Sequence, residues 1–201
     1  MRLPAALAAL ALAACTAGNG YSFLQRDNAP LPSAERLPIC YGFGCRDTAV
    51  VDASARWPEV AALFDPAPAD AAAERGRVAE AVALLERIAA EKAPIGGDLG
   101  GTFTGVGKTG QLDCEDEATN TTRFLVVLDR AGLLRFHDVG SPSTRGVFVG
   151  GWPHQTAVLV ETATGASWAV DSWFRDNGKP AAVVSLEQWQ GGWRPADGAV
   201  N

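Results

Sequence analysis

Three side chains in this sequence have the types and the order that thiol chemistry needs: Cys114, His154 and Asp171. A thiolate attacks a carbonyl carbon, an imidazole takes the thiol proton and later returns it to the leaving group, and a carboxylate holds the imidazole in one tautomer. Cys114 follows Asp113, the expected N-cap of a helix running to Ala131, with Glu115, Asp116 and Glu117 in its first turn and Gly132 just past its end. Unpaired N–H groups and the helix dipole at such an end favour thiolate. Ala118, Thr121, Leu125 and Leu128 follow at intervals of four and three, so Cys114 heads the stripe that packs inward. Glu117, at i+3, opposes ionisation unless it points to solvent, and the thiol therefore depends on a base.

The base and the carboxylate flank a predicted hairpin. Segments 155–161 and 167–171 lie either side of Thr162-Ala-Thr-Gly165. Closing the turn about Thr162-Ala163 pairs Val160 with Gly165 and, further out, His154 with Asp171. A two-residue shift of register leaves the two as diagonal neighbours on one face, whereas a one-residue shift puts them on opposite faces. The backbone N–H of Cys114 is the expected oxyanion donor, with the Gln111 side chain as a second. His137, the other histidine, reads as a strand residue at a solvent edge, and Trp152 and Trp173 bracket the trio. The competing reading of Cys114 is a buried, inert cysteine at a helix start.

In chain order, Leu112-Asp-Cys-Glu-Asp-Glu-Ala118, His154-Gln-Thr-Ala-Val-Leu159 and Trp168-Ala-Val-Asp171-Ser172-Trp173 resemble the bacterial transglutaminase-like cysteine proteinases of the transglutaminase-like superfamily, over residues 95–190. The resemblance implies a papain/transglutaminase-like core, with the nucleophile at a helix N-terminus packed on an antiparallel sheet. It also implies a peptide or protein substrate, with peptide or isopeptide cleavage more usual than amine transfer. No cofactor is implied, except that some periplasmic members bind calcium; Glu115, Asp116 and Glu117 are acidic enough for this, although the helix dipole alone accounts for their placement. Two rival functions stand beside this one. A peptidoglycan-cleaving cysteine peptidase usually shows Asp-Cys-Ser-Gly where this chain has Asp113-Cys-Glu-Asp, and a non-catalytic lipoprotein would keep the fold for binding or scaffolding.

The N-terminus bears on where such chemistry would occur. Met1-Arg2 and an Ala/Leu run ending in Leu12-Ala13-Ala14-Cys15 have the shape of a signal peptide over 1–14, too short to span a bilayer. Its last four residues resemble a lipobox, which implies lipidation of Cys15; an ordinary secretory signal cleaved nearby is the alternative. Thr16 after the cysteine favours the outer membrane of a bacterial envelope, with the protein facing the periplasm and held to the membrane through the lipid on Cys15. Residues 15–38, with Pro30, Pro32 and Pro38, read as a lipidated tether, and 39–201 as one domain. In an exported chain Cys40 and Cys45 can close a disulfide across Tyr-Gly-Phe-Gly, leaving Cys114 as the odd thiol. Zinc at Cys40 and Cys45 is the runner-up, and it would need two further ligands. A net charge of −6 with no basic run excludes nucleic acid. Gly105-Val-Gly107-Lys108-Thr109 is no phosphate loop, because Thr102 stands where its first glycine belongs.

The remaining pattern is α+β. Trp57-Pro58 opens a short helix, and Asp70 caps a longer one to about Lys92. Seven glycines then fall in 96–110, too many for a helix or strand interior. Strands are expected at 133–139, 146–150, 155–161 and 167–173, followed by a short helix capped by Ser185. Helices first and an antiparallel meander after them give the class.

Overall fold

The N-caps anticipated from the sequence set the two longest elements. In the computed structural model, which describes residues 19–26, 29–102, 105, 107–146 and 153–196, the Asp70 side chain accepts from the Ala73 N–H and opens α3, Ala71–Ala90. The Asp113 side chain accepts from the Glu115 and Asp116 N–H groups and opens α4, Cys114–Arg130, and the Asp116 side chain accepts in return from the Asp113 N–H. Three shorter helices are α1, Gly20–Leu24; α2, Trp57–Ala62; and α5, Leu186–Gln190, which Ser185 caps. Two antiparallel sheets complete a mixed α+β fold. Strands β1 (Leu37–Tyr41) and β2 (Asp47–Val51) form one, and β3 (His137–Arg145), β4 (His154–Glu161), β5 (Ser167–Asp171) and β6 (Ala182–Ser185) form a four-stranded meander. Among the described residues no helix is long and apolar enough to cross a membrane.

Helix α4 is the axis of the molecule, packed on β3, β4 and β5, on β1, and on α1 and α3. Its C-terminal half, Phe124 to Leu128, lies in a hydrophobic core that draws residues from Leu37 to Ala181. The N-terminal sheet meets α4 through a different chemistry. Cys40 and Cys45 form a disulfide, and residues 42–45 all have positive φ, including the non-glycines Phe43 and Cys45. This left-handed run turns the Phe43 and Cys45 N–H groups onto the Asp116 carboxylate, at 2.9 and 2.7 Å. Successive amides converging on an anion in this way form a backbone nest. One turn on, Asn120 Oδ1 accepts from the Cys40 N–H at 2.6 Å and its Nδ2 donates to the Cys40 carbonyl at 2.9 Å.

Three expectations are corrected. Residues read as a tether within 15–38 instead belong to the packed fold over 19–26 and 29–38. Gly20 is buried so closely that a Cβ there would lie 2.5 Å from Val139, the Tyr21 hydroxyl donates to Asp129, and Arg130 donates to the Pro32 carbonyl. The signal peptide at 1–14 and Cys15 lie outside the described residues, as do Trp152 and most of the strand expected at 146–150. The strand expected at 133–139 begins only at His137, since the Arg135 and Phe136 N–H groups donate to the buried Glu74 carboxylate on α3 rather than to a neighbouring strand. Finally, Val160 pairs with Ser167 rather than Gly165. The turn is two residues longer than expected, which preserves the face of every side chain.

Replacing Asn120 with Ala strips the Cys40 N–H and carbonyl of their partner inside the core. Each orphaned group costs about 1–3 kcal/mol, so urea denaturation of Asn120→Ala should show unfolding free energy reduced by about 2–4 kcal/mol.

Candidate active site

Cys114 is the first residue of α4, and its thiol lies against the start of β4, donating to the Pro153 carbonyl at 3.7 Å. The next residue, His154, is buried at 5% exposure. Its Nε2 lies 2.8 Å from Oδ2 of the equally buried Asp171, at the end of β5. With a carboxylate as partner, Nε2 carries the proton, and Nδ1 is left as the free lone pair. Nδ1 is buried and has no hydrogen-bond partner among the described residues. The two-residue register shift makes His154 and Asp171 diagonal neighbours on one sheet face, and the side chains close the remaining gap.

His137 gives an internal contrast. It too is buried against a carboxylate, with Nδ1 2.9 Å from Glu74, and is no solvent-edge residue. Its Nε2, however, accepts from Arg75 at 3.1 Å, and Arg75 continues to Glu161 at 3.0 Å and stacks on Trp168. Both ring nitrogens of His137 are occupied in tying α3 to the sheet. Only His154 keeps a nitrogen in reserve.

Burial pushes the Cys114 thiol up to about 11, and the Asp113 and Asp171 charges push the same way against the backbone N–H of Gln155. The resting sulfur is a neutral thiol. Glu117 takes neither course expected of it. It points inward, is 4% exposed, accepts from the Ser172 hydroxyl, and shares a proton with Asp98. Burial first, then the charges of Glu86 and Asp98, hold its carboxyl well above the usual carboxylate range, which favours its neutral form and lessens its repulsion of a negative charge on the thiol. Asp98 is pushed up to about 7 and Glu86 to about 8, in both cases mainly by burial.

This carboxyl cluster fixes the relative position of the elements that bear the trio. Ser172, next to Asp171, joins Glu117 and lies 2.9 Å from the Thr121 hydroxyl on α4. Asp98 accepts from the Leu112 N–H at 2.7 Å and from the Gln111 carboxamide. Gly100 and Gly101 of the glycine-rich segment are packed rather than loose. Gly101 N–H donates to the Trp173 carbonyl at 2.7 Å and Gly100 N–H to Asp176 at 2.9 Å, and a Cβ on Gly100 would collide with the Arg175 backbone at 2.5 Å. Gln111 is corrected as an oxyanion donor, because its carboxamide N–H groups go to Asp98 and the Leu99 carbonyl.

Aromatic rings enclose the imidazole. Trp173, Phe174 and Trp189 have centroids 4.8, 5.2 and 5.5 Å from it. Of these, Trp173 was signalled by its place beside Asp171 in the sequence, whereas Phe174 and Trp189 carried no signal. The acidic run does not converge on a metal. Asp116 is saturated by the Phe43, Cys45 and Asp113 N–H groups, Glu117 faces Ser172, and Glu115 is exposed. Among the described residues no group of three or more His, Cys, Asp or Glu side chains is placed to hold an ion.

Comparison with protein-family models, with curated proteins and with solved structures finds no match to this chain.

The raised carboxyls fix how stability depends on pH. Asp98, Glu86 and Glu117 keep protons in the folded state at pH values where an unfolded chain, with carboxylates near about 4, has lost them. Their contribution is whole below about pH 4 and disappears as pH rises through about 7 and 8. Thermal melts should therefore show a falling Tm between about pH 5 and pH 8.5. In Glu117→Gln, whose amide supplies the donor to Asp98 at every pH, that decline should be shallower, and the variant should melt above the wild type at the alkaline end.

Proposed function

We propose that this protein is a thiol-dependent acyl-transfer enzyme, a peptide or isopeptide hydrolase of the bacterial envelope with a papain/transglutaminase-like core. One observation carries the reading. A buried His154–Asp171 pair keeps Nδ1 unpartnered on the residue that follows the carbonyl to which the Cys114 thiol donates. A structural histidine in the same fold, His137, has no such vacancy.

In the proposed reaction the first step transfers the thiol proton from Cys114 to His154 Nδ1. The resulting imidazolium is held by Asp171 on the opposite nitrogen, with the Asp171 charge offsetting its own. The thiolate adds to an amide carbonyl, and the oxyanion meets the backbone N–H of Cys114 at the first position of α4, where the helix leaves this donor unused. His154 then protonates the departing amine as the C–N bond breaks, leaving a thioester. Water, deprotonated by the same Nδ1, adds to the thioester carbonyl and releases the acid and the thiol. An amine in place of water would give transfer instead of hydrolysis. Lipidation at Cys15 would hold the enzyme at the membrane, and the acidic surface suits a peptide or protein substrate rather than nucleic acid.

The competing reading is a scaffold lipoprotein, favoured by one observation, the upward shift of the Cys114 thiol. A thiol-directed activity probe separates the two. Native protein should label at Cys114 near neutral pH, and labelling should fall by about 10²- to 10⁴-fold in His154→Ala, the usual contribution of a positioned base. Asp171→Asn should lose most of the same rate. Equal labelling of wild type and His154→Ala, both folded, would leave the scaffold reading standing. Given a His154-dependent signal, profiling with a peptide library and with isolated peptidoglycan would then show which amide bonds are cut.

A further inference from the structure

Asp171 has two donors, and both use one oxygen. His154 Nε2 lies 2.8 Å from Oδ2, and the indole Nε1–H of Trp189 donates to the same Oδ2 at 2.6 Å. Indole nitrogen is a donor only, so the direction of this bond is unambiguous. Among the described residues Oδ1 is buried without a partner, and Trp189 is the one group besides His154 that fixes the rotation of the carboxylate. A carboxylate turned about its Cβ–Cγ bond would present a different oxygen to the imidazole, and the second donor on Oδ2 opposes that turn.

Trp189 is itself immobilised. It is 0% exposed, on a helix that Ser185 caps directly after β6. One ring face lies near the imidazole, at 5.5 Å between centroids and 34° between planes. The Arg145 guanidinium lies over the ring at 4.4 Å from its centroid, donates to the Trp189 carbonyl, and donates to the Trp193 carbonyl at 2.9 Å. Arg145 is also the direct cross-strand partner of His154 in the β3–β4 ladder. The strand that carries the imidazole is thus coupled through Arg145 to the helix that carries the indole.

From this geometry we infer that Trp189 is a positioning residue of the site, locking Asp171 Oδ2 against His154 through its indole N–H while its ring limits the tilt of the imidazole. The inference rests on the acyl-transfer reading above and adds a fourth member to the trio. It acts through Asp171 and His154 and touches no reacting atom of the substrate. An indole serves this purpose better than a hydroxyl or amide would. It has no acceptor to invert the bond, and its rigid bicycle excludes water from a carboxylate that must stay charged and oriented.

The test is the pH profile of Cys114 alkylation by iodoacetamide on the full chain, read at the Cys114 peptide by mass spectrometry, in wild type, His154→Ala and Trp189→Phe. Phe keeps an aromatic ring and removes only the N–H and the second ring. In wild type the rate near neutral pH should exceed that of His154→Ala, reporting the imidazole-assisted thiolate. In Trp189→Phe this neutral arm should fall about tenfold, the effect of losing one hydrogen bond to a charged group. The rate at about pH 11, where the thiolate forms without the imidazole, should match wild type, an outcome that a merely structural plug would not give. A Trp189→Phe profile that superimposes on wild type at neutral pH overturns the inference while leaving the enzyme reading intact. A wild-type profile with no His154-dependent arm overturns the enzyme reading and this inference with it. Should Trp189→Phe not fold, the wild-type indole N–H resonance decides. Slow exchange with solvent and a shift in Asp171→Asn support the bond, and exchange as fast as an exposed indole overturns it.

Discussion

From Asp116 to Thr122 every residue of α4 is buried, and all but Ala118 are polar or charged. A helix buried on all sides ordinarily is apolar on all sides, and each unpaired polar group in such a place costs several kcal/mol relative to water. The first two turns of α4 must therefore find partners on the surrounding elements, and the partners they find determine where those elements lie. Asp116 captures the amides of the disulfide loop, Asn120 clamps Cys40, Thr121 and Glu117 hold Ser172, and the Thr122 hydroxyl turns back onto the Ala118 carbonyl. Farther along, Phe124 to Leu128 satisfy the helix by ordinary apolar packing. The polar half is the half that begins with Cys114, so the residues that settle the helix in place also set the thiol against β4.

The same constraint resolves the conflict at the thiol. A helix N-terminus favours thiolate by about 0.3–1 kcal/mol, reaching ~2 in buried geometries. Burial and the neighbouring aspartates act the other way, raising the thiol from its ordinary range to about 11, which corresponds to roughly 2–3 kcal/mol before solvent screening reduces it. The dipole loses, and the sulfur rests protonated. An acid at i+3 would have widened the deficit, but Glu117 is neutralised because Glu86 from α3 and Asp98 from the glycine-rich segment crowd it inside the protein. Three carboxyls in one place do not all ionise readily, which lessens the negative charge near the first turn of α4.

How much of this was legible in the sequence depends on the range of the interaction. Caps are local, and Asp70 and Asp113 marked the starts of α3 and α4 to the residue. Strand parity is local as well. His154 and Asp171 were assigned to one face, and the face survived although the turn proved two residues longer. The two cysteines five apart signalled their disulfide. What stayed hidden depended on partners distant in the chain. Nothing in Cys40-Tyr-Gly-Phe-Gly-Cys45 indicates that Phe43 and Cys45 adopt positive φ, because that conformation is stabilised by Asp116, some seventy residues away. Glu74 intercepts the amides of residues 135 and 136 and delays the start of β3. Gln111 looked free to meet an oxyanion only because Asp98 and Leu99 do not advertise themselves as its partners.

The arrangement of the two histidines shows what distinguishes a potential base from a structural imidazole when burial and carboxylate pairing are the same. His137 and His154 each sit in the interior against an acid, yet His137 is bonded at both nitrogens, to Arg75 and to Glu74. A neutral imidazole with one nitrogen bound and one buried and unbonded is at a disadvantage of about 1–3 kcal/mol relative to a satisfied one. At His154 the rings of Trp173, Phe174 and Trp189 surround the imidazole, and the Trp189 indole N–H is directed to Asp171 rather than to Nδ1. Aromatic faces cannot supply a strong hydrogen bond to Nδ1, but they favour a cation close by. Among the described residues, such an enclosure leaves Nδ1 of His154 without a hydrogen-bond partner, whereas both nitrogens of His137 are engaged.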